Sequence, residues 1–312
     1  MKFSVTIPAY KAQFLNEAIK SVVSQTYADW ELVIVDDCSP ESLQTIVKPY
    51  LTDSRIRYYR NEKNCGAINV VDNWNICLSY CTGDYVICMG DDDRLLPTCL
   101  ADYKTLIERY PNLNVYHTRT EIINEQSMVF DTQEERPEWE SALSLVWHRW
   151  DSRNKQFIGD FCYQTNHLKQ TGGYYKLPLA WGSDDITAVL AAKEQGIANV
   201  QSFGFQYRQN TQTITSAISN ARIKIEARVA QLQWFTVFLR DMEQQTLTDA
   251  DQLLLQTIDI PRKKYFFEAL DKDCPDYIKG NPLRLGWCFQ QLRPFHFTWK
   301  TFLRWYLKSI KP

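Results

Sequence analysis

Three consecutive aspartates, Asp91, Asp92 and Asp93, follow an apolar run at residues 85–90. Adjacent carboxylates repel one another, so the run is stable mainly where positive charge lies beside it. A divalent cation that carries phosphates meets this need, because Mg²⁺ and Mn²⁺ prefer oxygen ligands. Aspartates are also common in turns and helix caps. The run alone therefore leaves two alternatives, a metal–nucleotide site and a solvated acidic turn.

Two further acidic pairs offer related chemistry. Asp36 and Asp37 follow a predicted buried strand at residues 30–35, and Asp184 and Asp185 precede apolar residues that recur at helical spacing. A carboxylate within about 2.6–3.2 Å of a hydroxyl can take its proton as a general base. The structural alternative for Asp184 and Asp185 is a helix cap favoured by the helix dipole. Capping and base catalysis are compatible roles for this pair.

The first 120 residues alternate between strand and helix patterns, which predicts an α/β fold with a mostly parallel sheet flanked by helices. In open parallel sheets, ligands bind beyond the carboxyl ends of the strands. Pro8, Ala9 and Tyr10 end the first strand, so they should meet the aspartates of the later strands in one crevice. The predicted strands are 3–7, 30–35, 55–59, 85–90 and 114–118, and the predicted helices are 14–23, 40–51, 68–81 and 98–109.

The glycine patterns that cradle phosphate in other nucleotide-binding folds are missing from the sequence. No G-x-G-x-x-G turn follows the first strand, and no P-loop occurs anywhere in the chain. The 35 basic and 37 acidic residues are nearly balanced, which argues against a nucleic acid partner. Nine scattered cysteines and the lack of a signal-peptide pattern favour a reduced, cytosolic protein. Phosphate would therefore need a metal ion rather than a glycine loop.

The pattern divides the chain into residues 1–219, which carry the strand–helix alternation, and a helical extension at residues 220–312. Residues 121–154 have a weaker, polar pattern, as expected of a loop or a helical excursion beside a site. Residues 281–312 hold six Lys or Arg residues and eight aromatic residues but no Asp or Glu. Such a helix can lie in the headgroup region of an anionic membrane, or it can pack its aromatic side chains on the rest of the chain. Both alternatives stay open at this point.

Several ordered motifs resemble those of the inverting family 2 glycosyltransferases of the GT-A fold, including members that build bacterial surface polysaccharides. The likeness extends over about residues 1–215 and leaves the last hundred residues outside. Gly90 departs from the family pattern, in which an aspartate often stands at this position. The matching segments are residues 7–11, 21–27, 31–39, 83–87, 91–93, 172–174 and 184–185.

The resemblance implies a role for each candidate residue on the donor side. Asp36 or Asp37 would accept the N–H of a uracil, and Asp91 would meet the ribose. Asp92 would ligate the Mg²⁺ or Mn²⁺ ion that bridges the diphosphate, with Asp93 in support. The remaining nucleotide-binding candidates are Pro8, Ala9, Tyr10 and Asn64.

On the acceptor side, the resemblance implies that Asp185 takes the proton of the acceptor hydroxyl. Asp184 would contact the acceptor or support its loop, and Trp181 and Gly173 belong to the same region. Asn210 occupies a region in which many family members carry a histidine that contacts metal or diphosphate. An amide oxygen is a weaker ligand than an imidazole, so the metal affinity should be modest.

The implied function is metal-dependent transfer of a sugar from a nucleotide donor, UDP above all, to a glycan or lipid-linked glycan by single displacement with inversion. A loop around residues 209–216 is expected to order when the donor binds. The expected location is the cytoplasm, with peripheral contact at the inner membrane face through residues 281–312 as a hypothesis. A non-catalytic nucleotide-sugar binding protein is the alternative. A sugar-1-phosphate nucleotidyltransferase is disfavoured because its glycine-rich loop is missing.

Overall fold

The computed structural model describes residues 1–210, 220–295 and 297–310. Over these residues, ten strands form one mixed sheet. The strands are β1 (Phe3–Ala9), β2 (Trp30–Asp36), β3 (Ile56–Arg60), β4 (Tyr85–Cys88), β5 (Arg94–Leu95), β6 (Val115–Ile123), β7 (Val129–Thr132), β8 (Trp139–Glu140), β9 (Phe161–Gln164) and β10 (Ile197–Arg208). The helices are α1 (Leu15–Val23), α2 (Leu43–Val47), α3 (Val70–Ser79), α4 (Cys99–Arg109), α5 (Ala142–Trp150), α6 (Thr165–Gln170), α7 (Ser183–Ala192), α8 (Ala221–Glu243), α9 (Asp249–Thr257), α10 (Asp259–Ile278), α11 (Arg284–Leu292) and α12 (Trp299–Ser309).

The main strand order is β3-β2-β1-β4-β9-β6-β10-β5, with β7 beside β6 and β8 beside β10. Strands β3, β2, β1 and β4 are mutually parallel, so their carboxyl ends lie at one edge of the sheet. Strand β9 runs antiparallel to both of its neighbours, whereas β6 and β10 pair in parallel. The parallel half of the sheet therefore presents the loops after β1, β2 and β4 on the same side.

Apolar side chains cover both faces of this sheet. In β4, Val86 and Cys88 pack into one hydrophobic cluster, while Tyr85 and Ile87 pack into the other. Strand side chains alternate between faces, so the two clusters lie on opposite sides of the sheet. Every residue of β2 is buried, as expected of a central parallel strand covered on both faces.

The predicted α/β fold is confirmed, and each predicted strand has an observed counterpart. The predicted helix at 40–51 is shorter than expected, because α2 ends at Val47 and a 3₁₀ turn with Pro49 follows. Residues 121–154 hold the end of β6, two short strands and α5, which is more structure than a loop. The twelve-residue strand β10 has no counterpart among the predicted strands, and the predicted loop at 209–216 lies largely outside the described residues.

The helical extension packs directly on the rest of the chain. The ring of Trp150 in α5 makes edge contacts with Phe235 of α8, at 4.9 Å between centroids, and with Phe266 of α10, at 5.7 Å. All three side chains belong to the cluster that also covers β4 and α7. The division at residue 219 stays a prediction, but the two segments share a core. Within the described residues, no helix combines the length and the apolar character needed to cross a membrane.

Candidate active site

A cavity of about 830 Å³ opens at the carboxyl ends of the parallel strands. Its wall includes Pro8 at the end of β1, Asp37 directly after β2 and residues 91–93 after β4. Asp184 and Asp185, in the first turn of α7, line the same cavity. The fold thus brings together three acidic groups that are far apart in the sequence. Strand order predicts the meeting of Asp37 with residues 91–93, whereas Asp184 and Asp185 reach the cavity from α7.

The carboxylate of Asp91 fixes the turn after β1. Its Oδ2 accepts hydrogen bonds from the backbone N–H of Tyr10 at 2.6 Å and of Lys11 at 2.7 Å. Burial, followed by the negative charge of Asp92, raises the pKa of Asp91 to about 6. Tyr10 lines the cavity with 41% of its surface exposed, so its ring is accessible to a planar ligand.

Asp92 lies at the cavity wall, and its Oδ2 accepts a hydrogen bond from Nδ2 of Asn210 at 2.7 Å. The carboxylate and the amide that the sequence assigns to the metal region are therefore neighbours. A Cβ at Gly90 would lie 2.8 Å from Oδ2 of Asp93 and 2.9 Å from Oδ1 of Asp92. This close approach explains why glycine stands where an aspartate is common, because a side chain here would displace both carboxylates.

Asp93 points into the protein rather than across the cavity mouth. Its Oδ1 accepts the backbone N–H of Arg208 at 2.9 Å, and its Oδ2 accepts that of Gly90 at 3.2 Å. Burial and the charge of Asp92 raise the pKa of Asp93 well above its ordinary value. These contacts fit the supporting role that the sequence assigns to Asp93.

Arg208, at the end of β10, binds the backbone of the aspartate run at residues 91–93 from the protein interior. The side chain is fully buried and donates from Nε to the carbonyl oxygen of Asp92 at 2.8 Å. It also donates to Glu17 of α1 at 2.9 Å and to Ser127 at 2.9 Å, and it lies over the ring of Phe14. Sequence reasoning assigned it no role, because its importance comes from strand β10, which was not predicted.

Asp36 and Asp37 have different surroundings. Asp36 is fully buried, where it accepts from Ser39 N at 2.7 Å and Tyr58 OH at 2.6 Å and pairs with Arg60. It does not line the cavity. Asp37 does, with Oδ1 accepting from Nδ2 of Asn61 at 2.8 Å. Of these two candidates, Asp37 is the one that faces the cavity.

The three remaining donor-side candidates are Pro8, Ala9 and Asn64. Ala9 is buried at the end of β1, and its carbonyl oxygen accepts from Asp37 N at 2.8 Å. Asn64 lines the cavity and bonds to the backbone N–H of Gly66. Pro8 and Asn64 therefore face the cavity, whereas Ala9 holds the backbone of Asp37 in place.

Asp184 and Asp185 begin α7 after Gly182, whose φ of 92° is accessible mainly to glycine. The positive end of the helix dipole favours acidic side chains at this position. Asp185 is 2% exposed, and Asp184 is partly buried at the cavity wall. Burial, followed by the negative charge of Asp185, raises the pKa of Asp184 to about 7.

Three side chains from outside α7 hold Asp185. Arg149 of α5 donates from Nε to Oδ1 at 2.8 Å, which forms an ion pair. Gln231 of α8 donates to Oδ2 at 3.0 Å, and the hydroxyl of Tyr265 in α10 donates to the same oxygen at 3.3 Å. Sequence reasoning missed all three, because α8 and α10 lie beyond the resemblance and α5 lies in the weakly patterned region. No sequence motif marks them.

Of the two remaining acceptor-side candidates, Trp181 lines the cavity and Gly173 does not. Trp181 lines the cavity, and the guanidinium carbon of Arg228 lies 5.4 Å from its ring centroid. Gly173 lies away from the cavity, where its φ of 84° and the tight packing against Asn75 require glycine. Asn75 in turn accepts from the backbone N–H of Tyr174 at 2.8 Å. Gly173 therefore shapes the loop before α7 rather than contacting a ligand.

Comparison with known proteins places the chain in a family. The sequence profile of glycosyl transferase family 2 matches residues 4–172, which is more than half of the chain. This chain therefore belongs to glycosyl transferase family 2. The match contains β1, β2, β4 and the three aspartates at 91–93, and it ends before Asp184 and Asp185.

Individual relatives share part of the sequence. The chain is 31% identical over 133 residues to the putative glycosyltransferase EpsE of Bacillus subtilis. This match covers 42% of this chain and 44% of EpsE. It is 32% identical over 127 residues to WfgD of Escherichia coli, a UDP-Glc:α-D-GlcNAc-diphosphoundecaprenol β-1,3-glucosyltransferase, covering 40% of this chain and 48% of WfgD. The matched region thus spans less than half the length of both curated relatives.

The whole fold also has a counterpart among solved structures. The crystal structure of Staphylococcus aureus TarS residues 1–349 in complex with UDP-GlcNAc superposes with a TM-score of 0.65 and 18% sequence identity. The superposition covers 99% of this chain and 88% of that chain, so the likeness extends through the helical region. At this level of identity it establishes the shared fold.

Proposed function

We propose that this chain is a metal-dependent, inverting glycosyltransferase that moves a sugar from a UDP donor to a glycan or lipid-linked glycan. The observation that carries the proposal is the single cavity that contains both the aspartates after β4 and the carboxylate pair of α7. A transferase needs these two groups within reach of one anomeric carbon. Membership of family 2 and the glycosyltransferase names of the relatives support the same activity.

The donor half of the cavity suits a uridine diphosphate. Asp37 offers carboxylate oxygens to an imide N–H, and the exposed ring of Tyr10 offers a stacking surface. Asp91 lines the same cavity beside Tyr10 and would accept hydrogen bonds from ribose hydroxyls. The structural counterpart TarS was solved with UDP-GlcNAc, which supports a UDP-sugar as the first donor class to test.

The residues present fit a divalent cation through one direct protein ligand. Within the described residues, no cluster of three or more His, Cys, Asp or Glu side chains is placed to enclose a metal. Asp92 presents a carboxylate at the cavity, and Mg²⁺ is commonly held by one or two carboxylates together with substrate phosphates and water. When bound, such a cation would stabilise the charge on the departing diphosphate.

The carboxylate of Asp185 acts as the base in this proposal. It accepts the proton of the acceptor hydroxyl while the acceptor oxygen bonds to the anomeric carbon and the bond from that carbon to the diphosphate oxygen breaks. The leaving group departs as UDP, and an α-linked donor gives a β-linked product. Arg149, Gln231 and Tyr265 orient the carboxylate through the contacts described above.

The proposed acceptor is a glycan intermediate of bacterial polysaccharide synthesis, carried on a lipid. WfgD, whose name specifies a diphosphoundecaprenol-linked acceptor, supports this class. The proposed location is the cytoplasm, with peripheral contact at the inner face of the cell membrane.

The test incubates the purified chain with Mn²⁺ and a panel of UDP- and GDP-sugars, with and without lipid-linked glycan acceptors. Transfer releases UDP together with an extended acceptor, and Asp92→Ala or chelation should abolish it. UDP-sugar binding without turnover would instead identify a non-catalytic nucleotide-sugar binding protein. Formation of UTP and sugar-1-phosphate from a UDP-sugar, in a parallel reaction with added pyrophosphate, would identify a nucleotidyltransferase.

A further inference from the structure

Helix α12 has two apolar faces, and the described residues cover one of them. Phe302 and Trp305 are buried, and their rings contact Phe289 of α11 and Phe297 respectively. The second face is an exposed stripe with i, i+4, i+8 and i+11 spacing. Its members are Trp299, Leu303, Leu307 and Ile310, of whose surfaces 65%, 46%, 48% and 58% are exposed.

Each of the two faces bears on one of the alternatives left by the sequence, packing on the chain or contact with a membrane. Packing of aromatic side chains on the core accounts for Phe302 and Trp305, which join a cluster with α8, α10 and α11. It does not account for the exposed stripe, because four neighbouring apolar side chains on one helix face are more than isolated surface exposure. The helix therefore has a second face suited to an apolar partner.

Basic side chains border this stripe. Lys300 and Arg304 are exposed and Lys308 is partly exposed, and Arg304 and Lys308 pair with Asp271 of α10. Residues 281–312 have six Lys or Arg residues and no Asp or Glu, although the chain as a whole has a net charge of −2. Positive charge is thus concentrated at the same end of the chain as the exposed stripe.

We propose that the exposed stripe of α12 binds the surface of a bilayer that contains anionic phospholipid, with the helix lying in the plane of the interface. The leucines would enter the acyl boundary, Trp299 would lie at headgroup depth, and the basic residues would contact lipid phosphates. An eleven-residue helix is about 16 Å long, which is too short to span the hydrocarbon core. The contact is therefore peripheral.

Charge disfavours a second copy of the chain as the occupant. A two-fold symmetric contact would bring this face against itself and place Lys300, Arg304 and Lys308 near the same residues of the partner. Like charges at such an interface oppose association. An anionic lipid surface matches both the charge and the apolar stripe.

The test measures sedimentation of the full chain with phosphatidylcholine vesicles that contain or lack phosphatidylglycerol. We expect binding to the anionic vesicles, little binding to the neutral ones, and a loss of binding as salt is raised. The double variant Leu303→Gln/Leu307→Gln should bind the anionic vesicles at least about tenfold more weakly, since two inserted side chains are lost.

The matched control is Leu253→Gln/Ile260→Gln, which replaces two apolar side chains on α9 and α10 that are even more exposed than Leu303 and Leu307, and it should bind as the unmodified chain does. Retained circular dichroism and UDP binding in both variants show that the fold and the donor cavity are intact, so this test is independent of the proposed chemistry. Equal binding to neutral and anionic vesicles, no binding at all, or unchanged binding by the stripe variant would overturn the proposal. So would a dimer in solution that the stripe variant dissociates without any lipid binding.

Discussion

Gln231, in the middle of α8, donates a hydrogen bond from Nε2 to Oδ2 of Asp185 over 3.0 Å. Gln231 is fully buried, and its Oε1 accepts from Arg228 at 2.7 Å. A residue of the helical extension therefore holds the orientation of the carboxylate that we assign as base. The extension is part of the candidate active site rather than an appendage to it.

Replacing Gln231 should lower turnover without affecting the donor. A neutral hydrogen bond contributes about 0.5–1.5 kcal/mol, so Gln231→Ala should reduce kcat up to about tenfold while leaving KM for the nucleotide sugar unchanged. Steady-state kinetics at varied donor concentration measures both parameters. Gln233→Ala, on the exposed side of the same helix, is the control. An unchanged kcat for Gln231→Ala would show that Asp185 does not depend on this contact.

Asp184 should make the stability of the protein depend on pH. Its folded-state pKa of about 7 lies above its ordinary value of 3.8, so its contribution to stability is complete below pH 3.8 and is lost as the pH rises through 7. Asp184→Asn removes the cost of burying the charge. We expect its Tm to exceed that of the unmodified chain at pH 8, with a difference that narrows steadily toward pH 5. A difference that does not vary with pH would refute the raised pKa.

Gly90→Ala should weaken binding of UDP with Mn²⁺. The added Cβ would lie within 3 Å of the carboxylates of Asp92 and Asp93 and push them from their positions. We expect an affinity loss of about tenfold or more, which corresponds to about 1.4 kcal/mol, in a titration by calorimetry. Gly286→Ala is the control, since no atom lies within 4 Å of a Cβ at that helical position. Equal affinities for the two variants would contradict the role given to Gly90.

Arg208→Met should destabilise the protein by about 1–3 kcal/mol, because it leaves the carbonyl oxygen of Asp92 and the partly exposed carboxylate of Glu17 without their charged partner. Urea unfolding of the unmodified chain and the variant measures the difference. Arg222→Met removes an exposed ion pair with Glu226 on α8 and should cost less than about 1 kcal/mol. Similar losses for both variants would mean that the buried network of Arg208 contributes little.

Local patterns predicted the strands of the parallel half and the loops that follow them. Residues 32–35 and 85–88 are continuous apolar runs, so the positions of Asp37 and Asp91 followed from strand geometry. The sequence could not distinguish Asp36 from Asp37, because the difference depends on Tyr58 and Arg60 of the neighbouring strand. Adjacent residues of a strand point to opposite sides. Only the pairing of β2 with β3 shows that Asp36 is held by Tyr58 and Arg60, which leaves Asp37 to face the cavity.

The other half of the site depends on contacts between distant segments. Strand β10 carries polar residues and register shifts, so its sequence does not show the regular alternation of a strand. Arg149 and Gln231 lie 36 and 46 residues from Asp185 and are unremarkable members of helices. Only the packing of α5 and α8 against α7 identifies them as neighbours of the carboxylate.

The most direct test of the proposed mechanism is the turnover of Asp185→Asn with the donor and acceptor pair identified by the nucleotide-sugar panel. The carboxamide keeps the size of the side chain but cannot take the proton of the acceptor hydroxyl. We expect UDP binding in the presence of Mn²⁺ to stay within about twofold of the unmodified chain, and kcat to fall by about 10²–10⁴. A variant that binds UDP normally and transfers sugar at a near-normal rate would contradict Asp185 as the base.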